Sequence, residues 1–358
     1  MGEIDIITIR EGSAQNPRTS EASVIELDDG SLLGAWAEFS LVENSDHDLG
    51  VSAIVSHRSY DGGYTWVERR VLASPGNGER NTYGANLLKL PGGEILFFYF
   101  HYIQLLRGEP VISQTYVRRS VDGGRSFSPP EALFKGDMQP FSFANDVARL
   151  LSGGRIVIPV VGRTGNLWEK DEHRFLAAAL SDDGGRTFRL SEGRVDLPMR
   201  GAMEGNIEEL PDGRLIMVMR SQLGSVFRSY SRDGGSTWSK PQTAGLRCPE
   251  SCNTLRRVPG TGDLLLIWNN SEYDMGFPSH YGRRSPLTAA VSKDGGETWG
   301  NVKNIESDPK YVHTNAACAF FKNRAIITYW HMRYTDDDRM KGLISLKAAI
   351  FDRNWLYR

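Results

Sequence analysis

SRDGGSTW, Ser231 to Trp238, is one of five versions of a single eight-residue phrase. The others are SYDGGYTW (Ser59 to Trp66), SVDGGRSF (Ser120 to Phe127), SDDGGRTF (Ser181 to Phe188) and SKDGGETW (Ser292 to Trp299). Their starts lie 61, 61, 50 and 61 residues apart. A phrase repeated at a nearly constant period marks a repeat architecture, because one unit cannot bury its apolar face alone and must stack on its neighbours. Each copy also reads as a turn. The Asp carboxylate can fold back onto backbone N–H groups, the Gly pair supplies positive φ, and the Thr or Ser and the aromatic residue resume a strand with the ring turned inward.

Working outward, each octet follows a second recurring phrase: an apolar strand, a tight turn and another apolar strand. Six such hairpins occur, starting at Val24 (VIELDDGSLLGAW), Leu87 (LLKLPGGEILFFY), Val147 (VARLLSGGRIVIPV), Ile207 (IEELPDGRLIMVMR), Leu255 (LRRVPGTGDLLLIW) and Ala317 (ACAFFKNRAIITYW). Short apolar runs bounded by turn residues predict strands, and no useful window has helical periodicity. Six hairpins predict six blades, each running strand, turn, strand, excursion, strand, octet, strand. The last unit has no octet and ends in ISLKAAIFD; the N-terminal IDIITIR is a spare strand expected to complete that blade and close the ring. No linker interrupts the series, so residues 1–358 read as one all-β, six-bladed propeller.

The octet is the Asp box, and the chain resembles the sialidase superfamily of β-propellers, in particular bacterial BNR-repeat sialidase-like proteins. The boxes identify the fold and carry no catalysis there, so function has to be argued from other residues. The resemblance implies a glycoside hydrolase, exo-acting on a terminal carboxylate-bearing sugar such as α-linked sialic acid. Three arginines would hold the carboxylate, since guanidinium forks match its geometry and stay charged. Arg18 precedes the first inner strand, Arg220 ends LIMVMR, and Arg284 opens RSPLTAAVSKDGGETW, with Arg283 as its neighbour and competitor.

The same resemblance puts the active-site glutamate at Glu204, ahead of the hairpin that contains Glu208 and Glu209. It would partner a tyrosine nucleophile by accepting the phenolic proton, or else activate water. The acid/base falls on the loop before the first box, where both Asp46 and Asp48 are available, Asp48 nearer the following strand. The nucleophile segment corresponds to DPKYVHTNAACAFF. Its register places His313, followed by Thr314, where a tyrosine is expected, with Tyr311 two residues earlier on the same strand face. Without a phenol there, an inverting reaction or a non-sialic acidic sugar such as a uronide is favoured. A carbohydrate-binding propeller without turnover is the remaining alternative.

Other polar and aromatic residues are candidates for the central face: Glu21, Tyr83, Asn86, Asn145, Asp146, His173 and Tyr273, with Trp168 in the third blade's loop as a sugar-stacking residue. Lys plus Arg number 42 against 44 Asp plus Glu, which gives no argument for nucleic acid or an anionic membrane as partner. The expected partner is a glycan. Three cysteines, Cys248, Cys252 and Cys318, are too few for a disulfide framework, and Cys248, Cys252 and His313 lack a fourth ligand for a metal site. No metal or organic cofactor is called for. The N-terminus has neither a basic leader nor an apolar core, so a cytoplasmic location is expected.

Overall fold

A computed structural model describes residues 4–40, 48, 50–76, 79–103, 112–134, 141–167 and 170–358. It contains six four-stranded antiparallel sheets, which are the blades of a β-propeller. The first blade comprises Arg18–Glu26, Leu32–Phe39, Ser52–Ser59 and Val67–Ala73, from the axis outward. The sixth comprises Tyr311–Phe321, Arg324–Arg333 and Ser345–Asp352, with Asp5–Arg10 as its outermost strand. The N-terminal strand thus pairs with the last one, Asp5 opposite Ile350 and Ile7 opposite Ala348, and closes the ring as expected. Among the described residues no helix is long and apolar enough to cross a membrane.

The boxes fold as their chemistry requires. In the first, Ser59 Oγ donates to Asp61 (2.8 Å), and Asp61 accepts from Thr65 N (2.9 Å) and Thr65 Oγ1 (2.6 Å). The Asp is therefore a turn-former, satisfied by its own loop. The second glycine has a further role. At Gly63, φ is +97°, and a Cβ would lie 2.6 Å from Ile326 Cδ1 of the sixth blade. Gly124 of the second blade presses on Leu33 of the first in the same way, Gly185 of the third on Leu96 of the second, and Gly296 of the fifth on Ile216 of the fourth. The repeat recurs because a side chain at this glycine would wedge neighbouring blades apart.

Between blades the core is apolar and closely packed. The second blade contributes Phe98 and Phe100, which pack with Phe143, Val147, Ile156 and Ile158 of the third. This packing holds the inner strands in place around the axis, and those strands carry the polar groups.

The inner strands are not regular. Register shifts occur between Ser20 and Ser23, Tyr83 and Asn86, Met203 and Asn206, and Thr314 and Ala317. At each shift one residue is left-handed: Glu21 (φ 60°), Gly84 (φ 68°), Glu204 (φ 46°) and Asn315 (φ 51°). Non-glycine residues in this region are uncommon, and bulges of this kind re-aim a side chain. Here the bulges turn Glu21, Glu204 and Asn315, of the first, fourth and sixth blades, toward the axis.

Candidate active site

At the end of the axis where the inner strands begin, a cavity of about 310 Å³ opens. It is lined by five arginines, Arg18, Arg174, Arg200, Arg220 and Arg284, and by three carboxylates, Glu21, Asp48 and Glu204.

Arg18 is buried between the rings of Phe39 and Trp330, with its guanidinium carbon 4.5 and 4.4 Å from their centroids. Its Nε donates to Ser20 Oγ (3.0 Å), one terminal nitrogen to Asp48 Oδ1 (2.7 Å), and the other to the Tyr83 hydroxyl. Arg220 donates to Glu204 Oε2 (2.7 Å) and Glu250 Oε1 (2.8 Å). Arg284 differs from both. Its Nε and one terminal nitrogen donate to the main-chain carbonyl of Glu250 (3.3 and 2.8 Å), and no carboxylate pairs with it among the described residues. Burial, then the charge of Arg220, lower its pKa. Arg283 turns the other way, to Pro309 O (2.9 Å) and Asp338 (2.5 Å); both arginines lie in the segment before the strand Leu287–Ser292.

The carboxylates divide by environment. Glu21 Oε1 accepts from Asn315 Nδ2 (2.6 Å), the Tyr83 hydroxyl (2.9 Å) and Trp330 Nε1 (3.1 Å). Burial pushes Glu21 up to about 7, against the opposing pull of Arg18 and these donors. Burial also acts to raise Glu204, but Arg220 and the Cys252 thiol outweigh it and leave Glu204 below the ordinary carboxylate range. Behind Arg220, Glu250 is driven down to about 2: burial opposes this, while Arg220, His280, Gln222 and Arg200 favour its charge. Asp48 is half-exposed at the rim, 3.4 Å from the Tyr83 hydroxyl.

These contacts form a continuous chain across the cavity floor. Glu204 Oε2 meets Cys252 Sγ (2.8 Å), Cys252 meets Asn315 Oδ1 (3.2 Å), Asn315 reaches Glu21, Glu21 accepts from Tyr83, and Arg18 joins Tyr83 to Asp48. Arg18, Arg220, Arg284, Glu204, Glu21, Asp48 and Tyr83 are thus brought together from the sequence candidates. Cys252, Asn315, Arg174, Arg200, Glu250 and His280 were not among the site candidates. For two of them a signal existed. Glu21 and Glu204 each stand six residues before the apolar residue that ends the inner strand, Leu27 and Leu210, and so do Cys252 before Val258 and Asn315 before Phe321.

Other expectations need correction. Tyr311 and His313 do not line the cavity. Tyr311 stacks on His331 (4.5 Å), and His313 is buried with its N–H on Arg284 O (2.9 Å). The bulge after Thr314 gives the axial position to Asn315, while 311 and 313 share a face turned toward Glu306 of the fifth blade. His313 therefore shares no site with Cys248 or Cys252; Cys248 is buried against Ser251 (3.4 Å).

Asp146 sits at the other end of the axis, where it pairs with Arg256; Glu208 pairs there with Arg149 (2.5 Å). Asn86 ties the second blade to the third through Ala144 O (2.9 Å), and Asn145 ties the third to the first through Ala22 O (2.7 Å). His173 bonds Asp196 (2.8 Å) on the third blade, Tyr273 stacks on Tyr281 (5.4 Å), and neither lines the cavity. Asp46 and Trp168 lie outside the described residues.

A closed ring of six blades with a charged axial cavity defines a class of β-propeller proteins, and comparison with known proteins narrows it. The BNR repeat-like domain family matches residues 30–336, most of the chain, and this protein belongs to that family. A curated relative, a sialidase of Micromonospora viridifaciens, is 26% identical over 288 residues, covering 70% of this chain. The match spans 41% of that relative's length. Among solved structures, a protein of unknown function from Dyadobacter fermentans superposes with a TM-score of 0.75 at 20% identity, covering 97% of this chain and 99% of that one. The NanB sialidase of Streptococcus pneumoniae gives a TM-score of 0.74 at 14% identity, covering 98% and 71%. A mutant of Trypanosoma rangeli sialidase displaying trans-sialidase activity gives 0.72 at 14%, covering 99% and 59%. The chain is a sialidase-superfamily BNR-repeat protein.

Proposed function

We propose that this protein is a glycoside hydrolase that releases a terminal carboxylate-bearing sugar, with α-linked sialic acid as the first candidate. The observation that carries the reading is Arg284, a buried guanidinium lining the cavity whose donors meet only a main-chain carbonyl among the described contacts. An incoming carboxylate would supply the missing counter-charge, with Arg220 and Arg18 at its flanks.

The reacting groups face it. Tyr83 rests its hydroxyl on Glu21, which two further donors orient, and Arg18 lies against the same oxygen. A nucleophile, a base that takes its proton and groups that orient the base make an activated set. In this reading Tyr83 Oη attacks the anomeric carbon and passes its proton to Glu21, while Asp48 protonates the departing glycosidic oxygen. Asp48 then draws a proton from water, whose oxygen displaces the phenol, and Glu21 returns the proton to Tyr83. Glu204 adds a negative charge beside the cationic transition state.

A second reading, hydrolysis of another acidic sugar such as a uronide, is favoured by one observation. The group that meets Glu204 is the thiol of Cys252, where the resemblance leads one to expect a phenol. The test is a panel of fluorogenic α-sialosides and uronides with wild type, Tyr83→Phe and Arg284→Ala. Sialic acid release that collapses in both variants supports the first reading. Uronide release alone selects the second, and saturable sugar binding without any release would leave a binding propeller.

A further inference from the structure

We propose that Glu306, His313 and His331 form a binding site for a divalent transition-metal ion, zinc by preference, between the fifth and sixth blades. The three side chains come from the outer strand of the fifth blade (Gly300–Glu306) and the first two strands of the sixth, so the site exists only once the two blades have docked. Each offers a ligand atom, and the three atoms lie within 4.8 Å of one another.

The spacing fits coordination better than hydrogen bonding. The two Nδ1 atoms are 3.5 Å apart. A metal bound to both at roughly 2.0–2.1 Å with a tetrahedral angle would hold them about 3.4 Å apart. As a hydrogen bond the contact is at the long limit. His313 is 1% exposed, and its Nδ1 has no partner among the described residues other than this long contact. A buried imidazole without a partner is costly unless something else satisfies it.

The surroundings hold the three ligands in place. Glu306 Oε1 accepts from the Tyr329 hydroxyl (2.8 Å) and Lys347 Nζ (2.9 Å), which fixes the carboxylate. Such outer contacts orient metal ligands in general. The Tyr311 ring, stacked 4.5 Å from His331, fixes that imidazole. Burial depresses both histidines, His313 to about 4, so both are neutral and able to donate a lone pair near pH 7. The charge of Lys347 works against a bound cation and sets the affinity below that of a dedicated zinc finger.

The site lies outside the cavity, but the main-chain N–H of His313 bonds Arg284 O (2.9 Å), so a metal here would brace the segment that presents Arg284. The experiment is titration of chelator-treated full-length protein with Zn²⁺ by calorimetry, and with Co²⁺ by visible absorption. One equivalent is expected to bind, with a visible spectrum of tetrahedral cobalt and a raised melting temperature. Affinity should fall at least tenfold in His331→Ala and in Glu306→Gln, the latter nearly isosteric and able to keep its hydrogen bonds. Absence of saturable binding in wild type, or equal affinity in wild type and Glu306→Gln, would overturn the assignment.

Discussion

The two ends of the propeller axis are built from the same six inner strands and treat charge in opposite ways. At the far end, Asp146 pairs with Arg256 and also accepts from Ser23 Oγ (3.0 Å) and Cys318 N (3.2 Å). Arg256 donates in turn to Cys318 O (2.7 Å) and Leu255 O (2.9 Å), and Arg149 to Glu208 (2.5 Å) and Ala148 O (2.8 Å). Charges from the third, fourth and fifth blades are consumed by one another there, with Ser23 of the first blade and the main chain of Cys318 of the sixth joined to them, and the ring is stapled shut. At the near end the arginines line a cavity, Arg284 has no anionic partner among the described residues, and a phenol rests on a carboxylate. A buried ion pair with its hydrogen bonds made holds strands together, whereas a buried cation without one asks for a ligand.

Mutations at the two ends should separate stability from chemistry. The largest effect is expected for Tyr83→Phe, which should lower kcat by about 10³-fold or more with KM and melting temperature little changed, as measured by steady-state kinetics on the responsive substrate. If the variant keeps full turnover, the near end is not organised around this phenol. Arg256→Ala tests the far end: stranding Asp146 should cost about 3–5 kcal/mol of stability in urea unfolding, with substrate affinity of the folded fraction unaltered. Arg284→Ala should weaken binding of the acidic sugar by about 10²-fold and leave melting unchanged or slightly higher, because a repulsion with Arg220 is removed.

The pH profile sharpens the contrast. Glu21 acts as a base only when ionised, so the acid limb of kcat/KM should climb about tenfold per pH unit toward about 7, and Glu21→Gln should lose that limb. Its effect on stability runs the other way. The folded chain keeps a proton that the unfolded chain gives up near the ordinary carboxylate value, so the contribution is full at acid pH and is lost as pH rises through about 7. The smallest effect is expected for Tyr311→Phe. Its ring packs on His331 away from the cavity, and turnover should stay within about a factor of two.

What could be read in advance follows the reach of the interactions. A box closes on itself within eight residues, so SRDGGSTW and its four copies specify a turn and a period, and the six hairpins between them specify six blades. Arg18, Arg220 and Arg284 were picked out by the family resemblance, each from its position beside a hairpin or a box, and all three line the cavity. The nucleophile position could not be read this way. Counting along an extended strand led to Tyr311 or His313, but Asn315 adopts φ 51°, and the resulting bulge shifts which residue meets the axis.

The pairing of charges lay further out of reach. Asp146 and Glu21 look alike in sequence, each an acid near the start of an inner strand. Arg256 of the fifth blade closes over Asp146, whereas Tyr83, Asn315 and Trp330 converge on Glu21. The amino-acid sequence by itself determined the propeller, the number of its blades and the stock of arginines and carboxylates near the axis, because these follow from local turns and strand periodicity. Only the tertiary structure decided which carboxylate is stapled to an arginine and which faces a cavity with a phenol on it. That choice depends on residues more than a hundred positions apart, brought within 3 Å when the ring closes.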